Sequence, residues 1–334
     1  MKLSVILTVY RAESYIREQL KKMLSNDFSD IQFIVVISET GSDKSTQICN
    51  DRLQGRANAL VIAQPDQGLA VARNTGLEAA TGDYIYFMDC DDILLQEGFS
   101  ALKEVLADTR ADVIVTKYAL LQSKGADIWP DYSFPAINNA DEARQHIYKA
   151  LPDSVWNVWR YVSRRAFLLK HNLYFIPELI CEDVDWTPRM LDAAETIAFM
   201  DTPLYGYTYN HPAQLSKRVN PQKTLDINLT ALKGITRFKD RPYGKALCDR
   251  LIRESLYSIS DYCRFAAGDR KKLHSAITAC EQHYHLSPDK KVSFYLKTRK
   301  VFPLYIWSIA LLTAKTIRGH MKRWLGANKA WRRQ

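Results

Sequence analysis

Three carboxylates fall within four residues at the end of an apolar run: Tyr84-Ile85-Tyr86-Phe87-Met88 is followed by Asp89-Cys90-Asp91-Asp92. Like charges at this spacing repel and are costly to desolvate, so a fold that keeps them together places something positive beside them. Carboxylates just past a strand end suit Mg2+ or Mn2+, hard cations that take oxygen ligands, keep waters and bridge to a diphosphate. A second acidic pair, Glu182-Asp183, lies in the stretch ICEDVDW. A carboxylate there can take a proton from an attacking hydroxyl. Taken alone, both clusters have ordinary readings, as loops, helix caps or solvated faces.

Strands and helices must bring these residues to one place. KLSVILTVY, IQFIVVI, ALVIAQ, DYIYFMD and ADVIVTKYAL read as strands. Between them, Ser14–Ser25, TGSDKSTQICNDRL, GLAVARNTGLEAAT and LLQEGFSALKEVLADT carry helical spacing or capping residues. Strand and helix alternating at this pitch predict an α/β fold with a mainly parallel sheet and helices on both faces. Ligands bind such sheets beyond the carboxyl ends of the strands, where the loops TVYRAES, SETGSD and DCDD all belong. Residues 126–140 read as a loop crossing that crevice, 141–217 as an aromatic-rich irregular cover, and 222–290 as helices with 3.6-period apolar faces.

Composition is that of a globular protein: 334 residues, 47% hydrophobic and 25% charged. The opening residues read as a strand rather than an export signal, and no apolar run approaches the ~18 residues of a spanning helix. The six scattered cysteines form no CxxC pair and read as free thiols. Cys263, Cys280, His283 and His285 lack the ligand spacing of a structural zinc site. Charge is uneven: from Lys290 to the end there are twelve Lys/Arg and no Asp/Glu, so the net +9 belongs to the tail. KTRKVFPLYIWSIALLTAKTIRGHMKRWLGANKAWRRQ mixes cations with aromatic and aliphatic residues, as an interfacial helix on an anionic leaflet does; a core helix with a solvated basic tail is the other reading. No nucleic-acid recognition motif accompanies it.

Four stretches in order, SVILTVYRAESYIREQL, FIVVISETGSDKST, QGLAVARNTGLEAATGDYIYFMDCDD and ICEDVDW, resemble the inverting, GT-A-fold nucleotide-sugar glycosyltransferases of family 2, of the bacterial surface-polysaccharide or lipopolysaccharide type. The resemblance covers roughly residues 1–216. It implies that Thr8, Val9 and Tyr10 hold the nucleobase and that Glu39 accepts the uracil imide N–H, although Ser38-Glu39-Thr40 stands where the family has Asp-Asp-Gly. It further implies that Gln67 and Arg73 lie near base and phosphates, that Asp89 bonds the ribose hydroxyls, and that Asp91 ligates the metal while Asp92 orients the loop. Asp183 would be the catalytic base, with Glu182 positioning acceptor or loop. In VWNVWRYVSRRAFL, Trp156 and Trp159 read as core before they read as sugar platforms. In LYGYTYNHPAQLS, Tyr209 and Gln214 replace the family's Arg and Ser, leaving His211 as the phosphate or metal contact.

The expected organisation is a GT-A domain over 1–217 (1–120 nucleotide-binding, 121–217 acceptor half), a helical extension over 218–290 and a basic membrane-associating tail over 291–334. The expected function is transfer of one sugar, with inversion, from a UDP-sugar to a glycan or lipid-linked acceptor in lipopolysaccharide or capsule synthesis. Mn2+ or Mg2+ would assist, at the cytoplasmic face of the membrane, and the oligomeric state stays open. The rival expectations are a sugar-nucleotide-binding protein without transfer and a nucleotidyltransferase, whose glycine-rich basic N-terminal loop is missing here.

Overall fold

The computed structural model describes residues 2–24, 31–39, 43–122, 126–137, 139–151, 153–209, 220–298, 303–311 and 313–314. The chain divides into two compact units, Met1–Arg218 and Val219–Gln334. The first runs β1 (Leu3–Tyr10), α1 (Ile16–Met23), β2 (Gln32–Glu39), α2 (Ser45–Leu53), β3 (Ala59–Pro65), α3 (Leu69–Ala79), β4 (Tyr84–Asp89), β5 (Ile93–Leu94), α4 (Gln96–Asp108), β6 (Val113–Gln122), α5 (Ala140–Ala150), β7 (Tyr161–Arg164), α6 (Arg165–Lys170), α7 (Glu182–Ala193) and β8 (Ile197–Tyr209).

The strands form one eight-stranded sheet in the order β3-β2-β1-β4-β7-β6-β8-β5. β1 to β4 run parallel to one another, as the apolar runs imply: β1, β2 and β4 are buried along nearly their whole length by helices on both faces. β3, at the edge, is only partly covered. β6 and β8 also run parallel, whereas β7 is antiparallel to both β4 and β6, and β5 to β8.

Tyr161–Arg164 is inserted between β4 and β6. One expectation needs correcting. Residues 141–217 are not irregular over most of their described length, since they contain α5, β7, α6, α7 and the thirteen-residue β8. The physical cues are modest but present. Asn139 caps α5 by accepting the Glu142 N–H at 2.8 Å, and Ala143, Arg144, Ile147 and Tyr148 form its buried stripe. In β8 the apolar content is largely aromatic and engaged sideways: Tyr205 stacks on Trp159 with centroids 4.4 Å apart, and Tyr207 lies 5.8 Å from the same ring.

One glycine sets a distance that matters for the site. A Cβ on Gly76 of α3 would stand 2.3 Å from Ile6 Cγ2 of β1, so only hydrogen there lets the helix lie this close to the sheet. The face of β1 that carries Ile6 is the face opposite Leu3, Val5, Leu7 and Val9, which pack into the main core cluster.

The second unit contains α8 (Pro221–Phe238), α9 (Gly244–Ser258), α10 (Ala267–Glu281) and α11 (Lys290–Thr298). Asn220 caps α8 by accepting the Gln222 N–H at 2.8 Å, with Pro221 pre-set for the first turn. Among the described residues no helix is long and apolar enough to cross a membrane. The chain beyond residue 314 lies outside the described residues.

Candidate active site

Register brings the expected donor-side residues to the carboxyl edge of the sheet. Thr8 of β1 is the partner of Asp89 in β4, and Tyr10 is the partner of Ser38 in β2, one residue before Glu39. Thr8 and Tyr10 share the α3 face by strand alternation. Val9 points to the opposite face, where its side chain is buried in the core, so it offers the crevice only its backbone. The Tyr10 ring carries the Arg11 guanidinium 5.1 Å above its centroid, and Arg11 itself adopts φ +46°. Glu39 is exposed at the end of β2 and accepts the Thr46 hydroxyl at 3.0 Å. Gln67 is exposed in the turn into α3, beside Gly68 at φ +88°, whose N–H donates to Asp66 at 3.1 Å.

The three aspartates after β4 have separate environments. Asp92 is 1% exposed and accepts the Tyr205 hydroxyl and the Thr208 N–H, each at 2.6 Å. It is an anchor, tying the loop to β8. Asp91 is half-buried, and its backbone carbonyl accepts Gln19 Nε2 at 3.0 Å. Burial, then the neighbouring Asp89, push the Asp91 carboxyl up to about 6. Asp89 terminates β4, and its side chain faces Arg73.

Arg73 is therefore one positive partner of the cluster, and it comes from the protein itself. Its side chain is 4% exposed; Nη2 donates to Asp89 Oδ1 at 2.9 Å and Nη1 donates to Glu182 Oε1. Both terminal nitrogens of Arg73, expected near base and phosphates, are engaged with carboxylates. The Phe175 ring backs the guanidinium at 5.5 Å. That ring is held in turn by the next residue of α3: Asn74 accepts the Phe175 N–H and donates to its carbonyl, both at 2.8 Å. Trp186 stacks on it at 4.7 Å, and Phe87 meets it edge-on at 5.3 Å.

α7 begins abruptly. Cys181 and Glu178 adopt φ +65° and +63°, left-handed backbone that costs non-glycine residues on the order of 1–3 kcal/mol each. Glu182, Asp183 and Asp185 follow in the first turn, where the helix dipole favours negative charge. Glu182 is 5% exposed and bonded to Arg73, and Asp185 pairs with Arg189 at 2.7 Å. Asp183 is half-buried and near enough to act on the charges of both Arg73 and Glu182. Burial opposes the Arg73 charge, and Glu182, Asp89 and Asp183 more than restore it. Burial, only partly offset by Arg73 and reinforced by Asp183, pushes Glu182 up to about 7.

Asp89, Glu182 and Asp183 are thus gathered around Arg73, while Thr8, Tyr10 and Glu39 line the same sheet edge. His211 and Gln214 lie outside the described residues. Trp156 and Trp159 are buried core, 4% and 2% exposed. Sequence reasoning missed Phe175, which stands in no motif, and Gln19, which lies in the quoted stretch SVILTVYRAESYIREQL, because both act only through tertiary contact.

The chemistry of the acidic loop fits a hard cation. Asp91 offers oxygen, and the burial and Asp89 repulsion that raise its carboxyl are offset by positive charge. Among the described residues no group of three or more His, Cys, Asp or Glu is arranged to hold a metal. A cation here would take one carboxylate from the protein and its remaining ligands from phosphate and water, an arrangement Mg2+ and Mn2+ accept.

The family model described as "Glycosyl transferase family 2" matches residues 4–175. The uncharacterized glycosyltransferase EpsJ of Bacillus subtilis is 30% identical over 210 residues, 62% of this chain and 61% of EpsJ, so the match spans about six-tenths of that relative. Staphylococcus aureus TarS 1–349, crystallised with UDP-GlcNAc, superposes with a TM-score of 0.70 at 19% identity, covering 95% of this chain and 92% of that one. The mannosyltransferase PcManGT of Pyrobaculum calidifontis, solved with GDP-Man and Mn2+, gives a TM-score of 0.54 at 14% identity, covering 95% and 86%. At these identities the two structures establish a shared fold: an α/β sheet of GT-A type with a helical C-terminal region.

Proposed function

From the premise that the chain belongs to glycosyl transferase family 2, we propose that it moves a single sugar, with inversion, from a UDP-sugar to a hydroxyl of a glycan or lipid-linked acceptor. The observation that carries this reading is the convergence, on one buried guanidinium, of Asp89 at the end of β4 and Glu182 beside Asp183 at the start of α7. This convergence of carboxylates from distant parts of the chain supports reading Asp89 as donor-side and Asp183 as base.

In this reading the backbone of Val9 and the side chains of Thr8, Tyr10, Glu39 and Gln67 hold the nucleoside, and Asp89 bonds the ribose. Asp91 would hold the Mn2+ or Mg2+, which supplies neutralisation of the diphosphate. Asp183 accepts the acceptor's hydroxyl proton as the oxygen forms its bond to the anomeric carbon and the carbon–phosphate-oxygen bond breaks on the opposite face. UDP departs with both electrons of that bond. An acidic group at the end of β2 favours a base with an imide N–H, and the TarS structure with UDP-GlcNAc makes UDP the first nucleotide to test. On the family resemblance, His211 serves as a phosphate or metal contact.

We place the acceptor among cell-surface polysaccharides, lipopolysaccharide or capsule, and the protein on the inner face of the membrane through its basic end. Phe294, Tyr305, Ile306 and Ile309 are 43–60% exposed within a segment that has no acidic residue after Asp289. The deciding experiment incubates the protein and Mn2+ with UDP-, GDP- and dTDP-sugars and mixed glycolipid acceptors, and follows free nucleotide and pyrophosphate. UDP release dependent on acceptor, without pyrophosphate, is expected. Pyrophosphate release would instead identify a nucleotidyltransferase, and nucleotide binding with no transfer a binding protein.

A further inference from the structure

We infer that Arg73 is a positioning residue that sets the first turn of α7, and with it Asp183, against the end of β4. The inference rests on the transferase reading above, but the observations behind it are independent of any ligand.

The guanidinium is planar and presents its donors as a rigid fork. Here one arm reaches Asp89, on the sheet, and the other reaches Glu182, on the helix. Neither carboxylate is fixed by its own element alone. Asp89 is the last residue of β4, and Glu182 directly follows a left-handed residue that redirects the chain. A lysine in place of Arg73 would keep the charge and lose the fork, holding one carboxylate at a time. Arg73 itself is doubly constrained. Gly76, one turn on, seats α3 against Ile6, and Asn74 pins the backbone of Phe175, whose ring lies under the guanidinium. The dipeptide Arg73-Asn74 therefore fastens three elements that are remote in sequence: α3, the end of β4, and the segment from Phe175 to the α7 N-terminus.

The consequence for the reaction is a link between its two halves. Asp89 is proposed to bind the donor ribose and Asp183 to deprotonate the acceptor, and buried Arg73 touches Asp89 on one side and Glu182, next to Asp183, on the other. Loss of the link should leave each half able to bind and the two misaligned. Misalignment of about 1 Å lowers the rate of the chemical step by as much as a hundredfold while leaving binding largely intact.

The test is a double-variant cycle with Arg73→Lys and Glu182→Gln, measuring kcat, donor KM, UDP affinity by calorimetry, and urea unfolding. For R73K the expected result is a kcat loss of about tenfold to a hundredfold, with donor KM and UDP affinity within about threefold of wild type. E182Q, whose amide oxygen still accepts from Nη1, should keep more activity than R73K, and the double variant should lose no more than R73K alone. Unchanged kcat in folded R73K, or losses that multiply in the double variant, would overturn the inference. If R73K does not fold, Glu182→Leu replaces it: a kcat loss at unchanged UDP affinity supports the link, and unchanged kcat removes it. Should wild type transfer no sugar, the transferase reading fails. The urea cycle still reports separately whether Arg73 and Glu182 are coupled, and additive unfolding energies would remove the clamp itself.

Discussion

Asp89 and Glu182 accept hydrogen bonds from the two terminal nitrogens of one guanidinium, so the end of β4 and the start of α7 are joined through a single buried cation. Asp183, alongside, acts on the charges of both Arg73 and Glu182, so the proposed chemistry takes place beside this coupled group of charges.

Glu182 carries a pH signature. Folding moves its carboxyl from the ordinary 4.5 to about 7, so the folded protein binds this proton more tightly than the unfolded chain does. Its contribution to stability is complete below 4.5 and is lost as pH rises through about 7. Glu182→Gln has no such proton. The melting temperature of wild type relative to E182Q should fall by at least ~2 °C between pH 4.5 and 8. Parallel melting curves across that range would contradict the raised value.

Asp91 is the proposed cation ligand. For Asp91→Ala, calorimetric titration with UDP should give the same weak affinity in Mn2+ as in EDTA, whereas wild type should bind more tightly in Mn2+. A manganese-dependent gain retained in the variant would assign the ligand elsewhere.

Asp183→Asn keeps the shape of the side chain and removes the base. UDP affinity should stay within about twofold of wild type while kcat falls by roughly 10²–10⁴, the usual span of general-base catalysis. Turnover within tenfold of wild type would end the assignment.

Gly76→Ala tests the seating of α3. A methyl group there meets Ile6 Cγ2 at 2.3 Å, so overpacking should cost about 1–3 kcal/mol in urea unfolding. Combined with Ile6→Ala, the loss should be less than the sum of the two single losses. Strict additivity would mean that the contact relaxes elsewhere.

What could be read from the chain was what is local. The run ending at Asp89 announces a buried strand and an acidic loop, whereas the helix that Glu182-Asp183 opens fell within a stretch read as irregular. The β1–α3 elements follow from period and capping. The Arg73 clamp could not be read this way, because its meaning depends on α3, β4 and α7 meeting in space. β7 was hidden for another reason: four residues flanked by Trp, Arg and Val show no alternation long enough to register. β8 was obscured because its aromatic residues pack against rings rather than alternating cleanly between a core and solvent.

The insertion of β7 has a practical outcome for dividing the protein. Among the described residues, the strand that bridges β1–β4 to β6 and β8 is a plank of four residues, Tyr161–Arg164, supplied by chain that comes after both β4 and β6. A fragment truncated at residue 120 would leave β4 with a bare margin and β6 stranded from the sheet. Such a piece should aggregate rather than persist as a nucleotide-binding half.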